Sequence, residues 1–240
     1  MTHIYLIRHG QAVVNVQPII GGMRGDTGLT PRGIEQAERL GERLAATREL
    51  VADALISSTM PRARQTAGII APALGLTPIE DSAFVELNPG EADGLSFTEY
   101  EARYGKLKFN PTRPLSPGGE TWATFLERTS AAYARISAEY AGKTVAIVCH
   151  GWVIEASFMH FLGLVREEAP MLGFQVSNTS LTHWEQYTRN DTLRWRLGRY
   201  NDAVHLHAAV RWSAEGSAAG AEHPAVPLGD DDTVLRVDRG

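Results

Sequence analysis

The sequence predicts an α/β fold, a three-layer sandwich in which helices flank a mostly parallel central sheet. Short apolar runs alternate with segments of helical periodicity, which is the pattern of strands joined by crossover helices. Two of these runs end alike, in Arg8-His9-Gly10 and in Cys149-His150-Gly151. In such sheets ligands bind beyond the carboxyl ends of the strands, so both histidines are candidates for one site. The 240 residues suit one domain with a sizeable core.

The first half of the chain predicts two strands and two helices. Residues 3–7 and 54–57 are apolar runs of strand length. Thr30 and Pro31 predict the start of a helix, with Thr as the N-cap and Pro in the first turn. The residues that recur at helical spacing and predict its buried stripe are Ile34, Ala37, Leu40 and Leu44. A second helix is expected from Pro61 until Gly75.

The second half begins with a stretch rich in glycine and proline, residues 81–119, in which we expect a short helix over 96–104. A long amphipathic helix is expected over 120–140, because Phe125, Thr129, Ala132 and Ile136 recur at helical spacing. The remaining predicted elements are a central strand over 144–149, a helix over 151–162, and two strands over 180–185 and 193–200.

Composition changes after residue 207. Residues 208–240 are rich in Ser, Ala, Gly and acidic groups and contain few large apolar side chains. Such a segment cannot bury enough surface to offset its ordering entropy, so we expect a domain over 1–207 and a flexible acidic tail over 208–240.

The charge balance limits the classes of partner. The net charge is −5, which predicts neither nucleic-acid binding nor binding to an anionic membrane surface. There is one cysteine and no apolar run long enough to cross a bilayer, so we expect a soluble, cytoplasmic protein. Of the 23 basic residues 20 are arginine, whose planar fork suits anion binding, although a general preference for arginine over lysine accounts for most of them.

His9 is the first candidate for chemistry. A neutral imidazole is a good nucleophile near pH 7, provided that one ring nitrogen faces the substrate and the other is held by a hydrogen-bond acceptor. A strand end followed by glycine offers a rigid base and allows a ligand to approach the backbone closely. Attack on a phosphate ester would give a phosphohistidine, which divides one difficult displacement into two easier ones.

The sequence resembles the histidine phosphatase superfamily, which includes cofactor-dependent phosphoglycerate mutases and many phosphatases. The similarity begins with Ile7-Arg8-His9-Gly10-Gln11 and Asn15. It extends over residues 3–206 through Gly25-Asp26, Leu29-Thr30-Pro31-Arg32-Gly33, Ser57-Ser58-Thr59-Met60-Pro61-Arg62-Ala63-Arg64-Gln65-Thr66-Ala67, Glu86, Gly118-Gly119-Glu120, His150-Gly151 and Asn178-Thr179-Ser180. The resemblance implies the phosphoglycerate mutase-like fold.

The resemblance also assigns roles. His9 is the expected nucleophile and Glu86 the expected acid/base, which requires a raised pKa. His150 is expected to complete the phosphate pocket as a hydrogen-bond donor or an imidazolium. The remaining residues expected to bind the phosphoryl group are Arg8, Asn15, Gly21, Gly22, Arg62 and Gly151.

Hydrolysis of a small phosphorylated metabolite is the predicted reaction. The mutases of the family have a longer insertion after the acid/base Glu, whereas here the interval from Glu86 to His150 is short, which resembles the phosphatase branch. Mutase-type phosphotransfer remains an alternative. A non-catalytic module that binds a phosphorylated ligand or a protein is the alternative of another class, although Arg8, His9, Arg62 and His150 are all retained.

No cofactor or metal is expected for this chemistry. His150 and His160 do not share one helical face, and His205 and His207 have no evident third ligand. Substrate selection is expected within 87–120, with Arg113 and Glu120 as candidates. The oligomeric state stays open, and a homodimer is compatible with the sequence.

Overall fold

The structure, a computed structural model, describes residues 1–108, 110–164 and 173–207. The strands are β1 (His3–Arg8), β2 (Ala54–Ser57), β3 (Ile79–Glu80), β4 (Thr144–Cys149), β5 (Leu181–Arg189) and β6 (Thr192–Asp202). The helices are α1 (Val13–Val16), α2 (Pro31–Thr47), α3 (Pro61–Leu74), α4 (Phe97–Tyr104), α5 (Trp122–Glu139) and α6 (Gly151–Leu162). Short 3₁₀ turns lie at Ser82–Phe84, Gly90–Ala92 and Val204–Leu206.

The strands form one sheet in the order β3-β2-β4-β1-β5-β6. The first four in this order are parallel, and β5 and β6 add an antiparallel hairpin at one edge. Asn190 and Asp191 connect that hairpin with φ of 53° and 56°, the left-handed conformation that a tight two-residue hairpin turn requires. The predicted α/β fold with a mostly parallel sheet is therefore confirmed.

Apolar side chains cover both faces of the sheet, which creates the three layers. Ile4 and Leu6 of β1 face the core beneath α5 and α6, whereas Ile7 faces the core beneath α2 and α3. The alternation follows from the period of two along a strand. The buried thiol of Cys149 belongs to the first of these cores, as expected for a small apolar side chain.

The predicted elements are present, and their differences from the structure have local causes. Ile34 was expected in the buried stripe of α2, but its side chain is 42% exposed. Gly33 takes the buried place in that turn, because a Cβ there would lie 2.0 Å from the backbone oxygen of Gln11. The late strands extend to residues 189 and 202, beyond the predicted ends, because the hairpin continues past the core.

Residues 208–240, the predicted tail, lie outside the described residues. In the described part of the chain, none of the helices combines the length and the apolar character that crossing a bilayer requires.

Candidate active site

The two histidines predicted from the strand ends lie together. Strands β1 and β4 are parallel neighbours in a register that pairs Arg8 with Cys149, so the next residue of each strand is a histidine at the same edge of the sheet. The ring centroids of His9 and His150 are 5.2 Å apart. Both rings are buried.

The hydrogen bonds of His9 define its tautomer. Nδ1 lies 2.7 Å from the carbonyl oxygen of Gly10 and donates to it. Nε2 accepts from Nε of Arg62 at 3.0 Å. The nitrogen that carries the lone pair is therefore Nε2, and the backbone holds the ring by the opposite nitrogen.

Arg62 connects the two imidazoles. Its Nε also lies 3.2 Å from Nδ1 of His150, whose Nε2 lies 2.8 Å from Oγ of Ser58. Its Nη1 donates to Oδ2 of Asp26 at 3.0 Å, and both members of this ion pair are buried. A guanidinium at the N-terminus of α3 opposes the helix dipole, so the carboxylate of Asp26 compensates a cation placed there for another purpose.

Arg8 is held from the other side of the pocket. Its Nη1 donates to the carbonyl oxygen of Val176, and its side chain is buried. The backbone of this strand end is fixed by Asn178, whose Nδ2 donates to the carbonyl of His9 at 2.9 Å, and by the N–H of Thr179, which donates to the carbonyl of Arg8 at 2.9 Å. Asn178 and Thr179, which lie just before β5, therefore fix the backbone at His9, the candidate nucleophile.

The carboxyl of Glu86 lines the same cavity. Its two oxygens accept from the backbone N–H groups of Leu87 at 3.0 Å and Trp152 at 3.2 Å. Burial raises the pKa of Glu86, against the opposing effect of the Arg62 cation and these two hydrogen bonds. A raised pKa is what an acid/base working near neutrality requires.

Both imidazoles are electrostatically biased toward the neutral form. Burial, followed by the Arg62 and Arg8 cations, lowers the pKa of His9 well below its usual value. Burial, followed by Arg62, does the same to the pKa of His150. Of the two expected states of His150, the structure therefore favours the neutral ring, because a second cation beside Arg62 is unfavourable.

Of four further residues that were expected to bind the phosphoryl group, three line the cavity and one does not. Asn15 lines the cavity, and its Oδ1 accepts from the N–H of Ala12 at 2.8 Å, which leaves its amide group as a donor. Gly21 and Gly151 also line the cavity, Gly151 as the first residue of α6. Gly22 and the fully buried His150 are not among the lining residues. The N–H of Gly22 donates to Asp93 at 2.9 Å, so we leave Gly22 out of the phosphate site, whereas His150 lies 3.2 Å from the lining residue Arg62.

The cavity has a volume of about 410 Å³. We call Arg8, His9 and Arg62 its polar floor, and most of the other lining residues form apolar walls. These walls include Ile19, Leu87, Phe97, Leu115, Trp152 and Phe174. Arg113 is exposed and outside the lining, and Glu120 pairs with Arg128 through two contacts of 2.8 Å. Neither of these two candidate specificity residues therefore lines the cavity, since the side chain of Arg113 faces solvent and that of Glu120 is engaged in an ion pair.

Sequence reasoning assigned no role to several residues that the structure places at the site. Asp26 and Ser58 lie within the segments that resemble the family, so their position was a usable signal. The sequence contained no comparable signal for Trp152 and Phe174, since an aromatic residue in an apolar segment is more often part of the core.

Two histidines and two arginines, gathered where adjacent parallel strands end, are typical of a protein that transfers phosphoryl groups through histidine. A family model described as the histidine phosphatase superfamily (branch 1) matches residues 4–203, and the chain belongs to that superfamily.

Individual relatives include both reaction types. The chain is 28% identical over 211 residues to an uncharacterized phosphatase, PhoE, of Bacillus subtilis strain 168, covering 88% of this chain and 100% of that protein. It is 32% identical over 212 residues to a probable phosphoglycerate mutase, GpmB, of Yersinia pestis strain Pestoides F, covering 86% and 95%. The solved structure of a mycobacterial glucosyl-3-phosphoglycerate phosphatase with VO3 has a TM-score of 0.69 and 25% identity, covering 83% of this chain and 99% of that one.

Proposed function

We propose that the protein is a phosphomonoester hydrolase that acts on a small phosphorylated metabolite through a phosphohistidine intermediate on His9. The observation that carries the proposal is the arrangement around the Arg62 guanidinium: Nε2 of His9 and Nδ1 of His150 both face its Nε, at 3.0 and 3.2 Å. The nucleophilic lone pair of His9 therefore lies next to a guanidinium that can bind the phosphoryl group.

In the first step, Nε2 of His9 attacks phosphorus and the ester P–O bond breaks. Arg8, Arg62, Asn15 and the N–H of Gly151 at the N-terminus of α6 stabilise the charge on the non-bridging oxygens. Protonated Glu86 transfers its proton to the departing alkoxide. The products of this step are the free alcohol, a phosphohistidine and a carboxylate on Glu86.

In the second step, water attacks phosphorus and the P–N bond breaks. The Glu86 carboxylate takes a proton from this water, and inorganic phosphate leaves. The negative charge of the phosphoryl group opposes the effect of the arginines on His150, so binding favours protonation of that ring and adds a donor to the pocket.

The cavity walls favour hydrolysis over phosphoglycerate mutation. Among the described residues of the lining, Arg8 and Arg62 are the only arginines or lysines, and both lie on the floor with His9. Glu155, which carries a carboxyl group, also lines the cavity. A phosphoglycerate carries a carboxylate besides its phosphate, and these walls offer that second anion apolar contacts instead of a cation.

The proposal is tested by rapid mixing with a radiolabelled aryl phosphate and quenching in alkali, in which phosphohistidine survives. We expect label on the protein, a burst of the alcohol, and steady release of inorganic phosphate. His9→Ala abolishes all three, whereas the matched variant His207→Ala, at a histidine outside the cavity lining, leaves them unchanged.

The same preparation separates the alternatives. Interconversion of 3-phosphoglycerate and 2-phosphoglycerate faster than phosphate release would identify a mutase. Saturable binding of phosphate esters without turnover in the folded wild-type protein would identify a binding module. Either result contradicts the proposal.

A further inference from the structure

A second group of histidines lies at the other end of β1. His3 begins the strand, six residues before His9, and its cross-strand partner on β5 is Glu185. His183 lies on the same face of β5, opposite Tyr5. Among the described residues, His3, His183 and Glu185 are the only group of three side chains whose ligand atoms approach closely enough to hold one metal ion.

Two distances within this group are close to the edge of a coordination tetrahedron. Nδ1 of His3 lies 3.1 Å from Nε2 of His183 and 3.7 Å from Oε2 of Glu185. Two ligand atoms about 2.0–2.1 Å from a tetrahedral zinc ion are about 3.3–3.4 Å apart. The two measured distances lie on either side of this value, and the ligand atoms of all three side chains lie within 4.8 Å of one another.

The His183 ring is held in the orientation that such a site needs. It stacks on Tyr5 with a centroid distance of 4.0 Å and an interplanar angle of 5°. Its Nδ1 edge lies over Gly198, where an added Cβ would come within 2.8 Å of that nitrogen. With one face and one edge of the ring confined, Nε2 is directed at His3.

The surroundings of these side chains also suit a cation. Oε1 of Glu185 pairs with Arg196, which leaves Oε2 on the side of the histidines. The side chains of His3 and Glu185 are 29% and 14% exposed, so an ion can reach them from solvent.

We propose that His3, His183 and Glu185 form a site for a divalent transition-metal ion, best matched by zinc, with solvent as the fourth ligand. Two imidazoles and one carboxylate are ligands that zinc prefers, and three protein ligands leave one position open. The ion would join β1 to β5 at the end of the sheet opposite the proposed catalytic centre. The proposed hydrolysis does not require it.

The test is titration of the chelator-treated protein with zinc chloride at pH 7.5, by calorimetry, together with thermal unfolding. We expect one equivalent to bind and to raise Tm, since an ion that binds only the folded state stabilises it. His3→Ala and Glu185→Gln should each weaken binding by about tenfold or more, because losing even an indirect supporting contact at a metal site has an effect of that size.

Two controls keep the result specific. His207→Ala removes a histidine outside the group and His9→Ala removes the proposed nucleophile, and both variants should bind zinc as the wild type does. The phosphatase activity of His3→Ala and Glu185→Gln reports correct folding. Absence of zinc binding to the wild type, or binding that both of these variants retain in full, overturns the proposal.

Discussion

The two ends of β1 each carry a pair of imidazoles, and the pairs are alike in spacing but opposite in surroundings. The ring centroids of His9 and His150 are 5.2 Å apart, and those of His3 and His183 are 5.3 Å apart. The first pair is buried and adjoins Arg62, whereas the second is partly exposed and adjoins Glu185.

The neighbours, more than the spacing, decide which ligand each pair favours. Cations beside neutral imidazoles favour an anion such as a phosphoryl group, because the guanidiniums contribute charge and the ring contributes a lone pair. A carboxylate beside two imidazoles favours a cation instead.

Replacing Arg62 with alanine removes the cation from the first pair. We expect kcat for an aryl phosphate to fall by about 10³-fold, the effect of losing a donor that stabilises developing charge. Arg64→Ala is the matched control, since Arg64 lies on the exposed side of the same helix and pairs with Glu80. Equal effects of the two variants would contradict the role given to Arg62.

Glu86→Gln removes the proton donor without changing the shape of the pocket. We expect kcat/KM for an alkyl phosphate to fall by about 10²-fold or more, and by less for p-nitrophenyl phosphate, whose leaving group needs little protonation. Because the pKa of Glu86 is raised, kcat/KM of the wild type should fall as the pH rises through that pKa and the acid loses its proton. The variant has no proton to lose at this position, so its kcat/KM should not show this fall. Equal losses for both esters would exclude Glu86 as the acid.

Asp26→Asn keeps the size of the side chain but removes the charge that holds Arg62. A small displacement of a group that positions the reaction lowers the rate by up to about 10²-fold. We therefore expect a kcat below that of the wild type but above that of Arg62→Ala. The KM should change little. An unchanged kcat would show that the guanidinium is held adequately without this carboxylate.

His205 tests what burial beside an arginine does to a histidine away from the cavity. Its side chain is 2% exposed, and burial together with Arg43 lowers its pKa to about 4. The unfolded chain takes up a proton near pH 6.5 but the folded chain does not, so this histidine should lower the free energy of unfolding by about 2 kcal/mol between pH 7 and pH 5.

Urea unfolding of wild type and His205→Gln at both pH values isolates that contribution. The variant keeps hydrogen-bonding capacity toward Thr179 but does not titrate, so its stability should decline less over this interval. Parallel declines in the two proteins would contradict the lowered pKa.

Trp152→Ala removes part of the apolar wall and leaves the floor in place. We expect KM for an aryl phosphate to rise by about tenfold, with a smaller change for glycerol phosphate, because a lost aromatic contact weakens binding by about 1–2 kcal/mol. The kcat should stay within a few-fold of the wild type. Equal changes in KM for both esters would show that the wall does not contact the organic part of the substrate.

Local patterns in the sequence were sufficient to predict the α/β class, most elements and the two histidines at strand ends. These features depend on periodicity and on residues adjacent along the chain, such as Arg8-His9-Gly10, which the sequence displays directly. Asp26, Ser58 and Asn178 could be located by resemblance, but their partners could not, since each contacts a residue far from it in sequence.

Only the tertiary structure decided which polar groups are already engaged. Glu120 was a reasonable candidate until its ion pair with Arg128 was visible, and Gly22 until its N–H was found on Asp93. The same holds for His3 and His183, which are 180 residues apart and meet only because β1 and β5 pair antiparallel. Residue types are local information, whereas the electrostatic surroundings of each side chain come from strand register and burial, which the whole chain must fold to establish.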